Sequence, residues 1–138
     1  MKKIDIACII DDDPIYIYTA KRMMDLVDFC NNYLIFKNGY EAITYLKPII
    51  EQGEDTPEVI FLDLNMPVMD GWQFLEEFTA IPPPPKKEII IYIVSSSIDP
   101  QDLEKAKSYE NVDNYIVKPI EIDKLQEILN DLIESKSD

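Results

Sequence analysis

At 138 residues, 46% of them hydrophobic, the chain is long enough to bury one core and too short to need a second domain. Its formal net charge of −14 repels phosphate backbones and anionic headgroups, so neither nucleic acid nor a membrane surface is an expected partner. The chain has no histidine, which removes Ser-His-Asp chemistry and most zinc sites together.

Ile4–Ile10 is a short apolar run that reads as a buried strand. Asp13-Pro14 supplies an N-cap and a first-turn proline for a helix running to about Asp28. That helix opens Pro14-Ile15-Tyr16-Ile17-Tyr18, more apolar than a single buried stripe can hide, so some of these side chains must face outward. Ile15 and Tyr18 are the expected docking residues for a protein partner. Tyr33–Lys37 reads as a second strand and Gly39–Gln52 as a helix, with Pro48 expected to kink or end it. Val59–Asp63 is a third strand and Asp70–Ala80 a third helix. Pro82–Pro85 then forms a stiff polyproline loop, with a proline-motif ligand as the lesser reading. Glu88–Val94 is the most apolar strand, as a parallel sheet covered on both sides requires. Asp99-Pro100 opens a fourth helix ending near Tyr109. Its core residues are chiefly Leu103 and Ala106, so it should be loosely held. Asn114–Val117 is a fifth strand. Glu121–Ser135 is the last helix, with Ile122, Leu125, Ile128, Leu129, Leu132 and Ile133 at helical spacing.

Alternating strand and helix predicts an α/β fold: an open, doubly wound, five-stranded parallel sheet with helices on both faces. The whole of 1–138 is read as one domain with no residues left for an output domain. Cys8 and Cys30 sit in apolar stretches without metal-type spacing and read as free thiols in a reducing compartment. The first residues lack the apolar core of a signal peptide, and no apolar stretch approaches the ~20 residues that span a bilayer. A cytoplasmic location is expected.

Charge falls at the strand ends. Ile9-Ile10 runs into Asp11-Asp12-Asp13, and Phe61-Leu62 runs into Asp63. Ligands of open α/β sheets bind at the carboxyl ends of the strands, where the strand order reverses. In a 2-1-3-4-5 order the first and third strands flank that reversal, and Asp11, Asp12 and Asp63 converge. Carboxylates so close repel one another unless a cation intervenes, and an oxygen-rich, histidine-free set suits a hard ion such as magnesium. Asp11-Asp12-Asp13 alone is equally well read as a solvated helix N-terminus. Asp63 has no such explanation. Val94 leads into Ser95-Ser96-Ser97 and Val117 into Lys118-Pro119, bringing a hydroxyl and an ammonium to the same rim. Taken singly, the serines are helix caps and Lys118 a surface lysine; taken together with the acids, they can bind the oxygens of a phosphoryl group.

Asp11-Asp12, the stretch Phe61-Leu62-Asp63-Leu64-Asn65-Met66-Pro67-Val68-Met69-Asp70-Gly71, the serine after the fourth strand and Lys118-Pro119 occur in order along nearly the whole chain. In these markers the chain resembles the response regulator receiver domains of two-component systems, single-domain and chemotaxis-type, whose fold is flavodoxin-like. The resemblance implies a phosphoacceptor that is not a turnover enzyme. Asp63 would take the phosphoryl group from a sensor histidine kinase or a histidine phosphotransfer protein. Magnesium, or manganese in its place, would be held by Asp12, Asp63 and the backbone carbonyl of Asn65, with Asp11 acting mainly through a coordinated water. Ser95 and Lys118 would bind phosphoryl oxygens, and Ser95 and Tyr115 would form the switch pair. The resemblance also implies a cis Lys118–Pro119 bond, and places Asn65 and Ser97 where the acyl-phosphate lifetime is set.

Output would pass to a noncovalent downstream protein or onward as a phosphoryl group, from a monomer or weak homodimer. A receiver-like scaffold working without phosphorylation is the alternative. A haloacid-dehalogenase-type phosphatase would want an Asp where Asn65 stands. A flavodoxin-like electron carrier would need a phosphate-binding loop where the three aspartates stand.

Overall fold

The computed structural model describes residues 4–82 and 89–136. Strand and helix alternate: β1 (Ile4–Ile10), α1 (Pro14–Leu26), β2 (Cys30–Phe36), α2 (Gly39–Gln52), β3 (Val59–Leu62), α3 (Gly71–Thr79), β4 (Ile90–Ser95), α4 (Pro100–Ala106), β5 (Val112–Val117) and α5 (Ile122–Lys136). The strands form one parallel sheet in the order β2-β1-β3-β4-β5, the expected order.

The period-2 geometry of a strand divides the core in two. Cys8, Ile10, Ile60, Leu62, Ile91 and Ile93 point to one face, where they meet Ala42 and Leu46 of α2, Phe74 and Phe78 of α3, and Ala106 of α4. Ala7, Ile9, Val59, Phe61, Tyr92 and Val94 point to the other, against Ala20 and Met24 of α1 and Leu125, Ile128, Leu129 and Leu132 of α5. Cys8 and Cys30 are both buried, and neither forms a disulfide. No described helix is long and apolar enough to cross a membrane.

Several boundaries differ from the sequence reading. β2 begins at Cys30, three residues before Tyr33, because Cys30 and Asn32 pair in register with Ile4 and Ile6 of β1. The two asparagines carry little strand propensity, and pairing with β1, an interior strand, overrides it. Pro48 does not end α2. Its ring removes one helical hydrogen bond at a cost of ~3 kcal/mol. Burial of Ile43, Leu46 and Ile50 along the same helix, at ~1.5–3 kcal/mol each, outweighs that loss. α4 stops at Ala106 rather than near Tyr109, and only Ala106 of its residues is buried. Leu103 is 36% exposed, so it is not the core residue its type suggests. Pro83–Pro85 of the proline run, and Glu88 of the expected fourth strand, lie outside the described residues.

Candidate functional site

β1 and β3 end side by side, and the backbone ladder continues one residue past each. The Asp63 N–H donates to the Ile10 carbonyl at 2.9 Å, and the Asp11 N–H to the Phe36 carbonyl at 3.0 Å. Both acids are thereby fixed on the rigid end of the sheet. Asp11 is 1% and Asp63 6% exposed, while Asp12 faces solvent. Carboxylate oxygens of Asp11, Asp12 and Asp63 lie within 4.8 Å of one another, the convergence the strand order implies.

Buried like charges disfavour ionisation. Burial, and next the Asp11 charge, push the Asp63 carboxyl from an ordinary 3.8 up to about 6, against the opposing pull of Lys118 and the Asn65 N–H. Burial also raises Asp11, opposed by Lys118 and by the Asp13 N–H, which donates to Asp11 Oδ1 at 2.9 Å. Lys118 Nζ lies 2.8 Å from Asp11 Oδ2 and 3.8 Å from Asp63 Oδ1. Lys118 therefore meets both acids, and its closer partner is Asp11.

Lys118 arrives from the end of β5, where its N–H donates to the Ser95 carbonyl at 2.9 Å and its bond to Pro119 is cis. Ser95, the last residue of β4, is fully buried, and its Oγ accepts from the Ser97 N–H at 3.2 Å. The Tyr115 hydroxyl donates to the Ser97 carbonyl at 2.9 Å. Ser97 Oγ in turn donates to Asp102 Oδ2 at 2.7 Å and accepts from the Asp99 N–H at 3.2 Å. Ser97 thus ties Ser95, Tyr115 and the first turn of α4 together, a role its sequence position did not reveal.

The β3–α3 loop backs the site. Asp70 caps α3 by accepting from the Gln73 N–H at 2.9 Å, with Gln73 Oε1 accepting in return from the Asp70 N–H at 3.0 Å. Gly71 packs so closely under the acid that a Cβ there would lie 2.5 Å from the Asp63 carbonyl oxygen and 2.8 Å from Leu64 Cα. Asn65 is exposed, and its N–H donates to the Asp63 carboxylate.

At the start of α1, Asp13 caps the helix by accepting from the Ile15 N–H at 3.0 Å, and Pro14 occupies the first turn. This start turns Ile15 and Tyr18 outward, at 76% and 63% exposure, and sends Tyr16 and Ile17 toward the core. The Tyr16 ring was not singled out in the sequence, yet Lys118 Nζ lies 4.4 Å from its centre. Burial, then the charges of Asp11 and Asp63, push the Tyr16 hydroxyl upward.

The family model described as response regulator receiver domain matches residues 7–130. A two component response regulator from Cytophaga hutchinsonii is 29% identical and superposes with a TM-score of 0.85, covering 96% of this chain and 99% of its own. The phosphorylated cyanobacterial phytochrome response regulator RcpA is 25% identical with a TM-score of 0.72, over 94% of this chain and 91% of its own. The probable methanogenesis regulatory protein FilR2 of Methanothrix harundinacea is 24% identical over 135 residues, 94% of this chain and 81% of that protein. With its strand order, its paired acids and a family match over most of its length, the chain belongs to the response regulator receiver domains of two-component signalling.

Proposed function

We propose that the chain is a phosphoacceptor, taking a phosphoryl group onto Asp63 from a phosphohistidine of a sensor histidine kinase or a histidine phosphotransfer protein. The observation that carries this reading is the meeting of Asp11, Asp12 and Asp63 at the ends of β1 and β3, with Lys118 as their nearby cation. Three carboxylates against one ammonium leave a net negative pocket, and its hard oxygen donors suit a divalent cation. Magnesium fits this set, held by Asp12, Asp63 and the Asn65 carbonyl, with Asp11 acting through a coordinated water. When bound it would neutralise charge on the transferring phosphoryl group and lower the charged-state penalty on Asp63.

The chain's own residues supply nucleophile and positioning. A carboxylate oxygen of Asp63 forms the new O–P bond as the donor's N–P bond breaks, and the electron pair of that bond leaves with the imidazole. Lys118 approaches from the side and is placed to balance charge on the phosphoryl oxygens. Ser95, buried and weakly engaged through its Oγ, can turn its hydroxyl toward a phosphoryl oxygen. That movement reaches Tyr115 and α4 through Ser97. Ile15 and Tyr18 provide an exposed apolar surface at the start of α1 for the phosphodonor protein. The signal passes to a downstream protein held noncovalently or onward along a phosphorelay.

Incubation with magnesium and a small phosphodonor, followed by intact mass, tests the reading. A single phosphate-sized increment that Asp63→Asn abolishes is expected. No increment with either magnesium or manganese, and no metal binding, would overturn it.

A further inference from the structure

We infer that Tyr16 is a positioning residue for Lys118, its ring face fixing where the ammonium stands among the carboxylates. The inference rests on the phosphoacceptor reading for its kinetic consequence, but its structural half stands on geometry alone.

A lysine is a compact charge on a flexible four-carbon stem, so a productive placement requires contacts that restrict it. Lys118 has three. Asp11 holds the ammonium at 2.8 Å, Asp63 stands at 3.8 Å, and the Tyr16 ring centre lies at 4.4 Å. The carboxylates alone would draw the ammonium into the acid cluster. An aromatic face attracts a cation without accepting it as a conventional hydrogen bond. The ring therefore restrains the ammonium while leaving its remaining N–H groups free to meet incoming oxygens. Only 19% of the Lys118 side chain is exposed, so the contact is shielded from water, where cation–π attraction is strongest.

The ring reaches this place because of how α1 begins. Asp13 as N-cap and Pro14 in the first turn set the phase of the helix. That phase turns Ile15 out to solvent and packs Tyr16 on the core beside the end of β1. A shift of one residue in the helix start would put Ile15 or Ile17 where the Tyr16 ring now stands. Tyr16 thereby links the outward surface of α1 to the ammonium inside the pocket.

The test compares Tyr16→Phe, which keeps the ring face, with Tyr16→Leu, which keeps apolar bulk alone. With magnesium and phosphoramidate as donor, Tyr16→Leu should form the acyl phosphate about fivefold more slowly, the scale of one shielded cation–π contact. Tyr16→Phe should retain the wild-type rate. In a Lys118→Met background the leucine change should have no further effect, since the residue through which Tyr16 acts is gone. An undiminished rate in Tyr16→Leu, failure of phenylalanine to restore it, or an equal loss in the Lys118→Met background would overturn the inference.

NMR separates this outcome from failure of the underlying reading. The Lys118 ε-methylene protons should be shifted upfield by the ring current in the wild type and in Tyr16→Phe. An unshifted signal in the wild type would overturn the inference even if Tyr16→Leu failed to fold. If the wild type takes no phosphoryl group, the phosphoacceptor reading falls, and the ring-current shift alone decides whether Tyr16 places Lys118.

Discussion

The Tyr115 hydroxyl donates a 2.9 Å hydrogen bond to the backbone carbonyl of Ser97, spanning from β5 to the loop that follows β4. That bond keeps the half-buried ring packed against the cluster beneath α2, α3 and α4. The same Ser97 meets Ser95 through its N–H and α4 through its hydroxyl, so one residue joins the Ser95 side of the pocket to the helix with the thinnest core contact. Tyr115→Phe removes the hydroxyl and leaves the carbonyl without that partner. A loss of about 1 kcal/mol of unfolding free energy is expected in urea titrations. An unchanged midpoint would mean that packing alone holds the ring inward.

Asp63 sets a pH dependence whose sign follows from its environment. Its folded value of about 6 stands above the ordinary 3.8, so the folded chain holds this proton more tightly than the unfolded chain does. The associated stability is fully present below about 4 and is lost as pH rises through about 6. With a chelator present, the melting temperature should fall between pH 5 and pH 7.5. Asp63→Asn should flatten that slope and raise the melting temperature at pH 7.5. Asp11 is shifted in the same direction and should leave a residual slope. Magnesium should restore stability at pH 7.5 and bind more weakly below pH 6, where protons compete. A melting temperature that rises from pH 5 to pH 7.5 without metal, in the wild type but not in Asp63→Asn, would contradict this assignment.

Gly71 gives a packing prediction. Because a methyl group there would meet backbone atoms at 2.5 and 2.8 Å, neither a rotamer change nor a flexible neighbour can relieve it. Gly71→Ala should lower the unfolding free energy by about 1–3 kcal/mol. It should also slow labelling by a small phosphodonor, because the displaced strand end carries Asp63. Wild-type stability and labelling together would show that the loop yields without cost.

Ile15 and Tyr18 are tested by comparing two phosphodonors. Ile15→Asp should slow phosphotransfer from a cognate kinase about tenfold or more, the consequence of placing a charge in an apolar contact. Labelling by a small phosphodonor should be unchanged. Equal loss in both assays would place the effect in the pocket and count against docking.

Much of the molecule was legible in the sequence because its signals are local. Apolar strands running straight into Asp11-Asp12, Asp63, Ser95 and Lys118 mark the strand ends without any knowledge of contacts. Asp13-Pro14 and Asp99-Pro100 mark helix starts through capping chemistry that acts within a few residues. Leu103 departs from the expectation for a physical reason. Residue type gives the tendency to be buried, but exposure depends on where a short helix lies against the sheet.

The alternation of elements, the order of the markers and the identity of the acids follow from local patterning, because periodicity and capping are properties of neighbouring residues. Tertiary structure alone decided which charges meet. Asp11 and Lys118 are separated by most of the chain, yet their 2.8 Å contact is closer than the one Lys118 makes with Asp63. Whether Tyr16 faced solvent or the ammonium depended on the phase of α1 against the end of β1. A distance between side chains on different strands is set by sheet order, twist and packing, and no spacing along the chain encodes it.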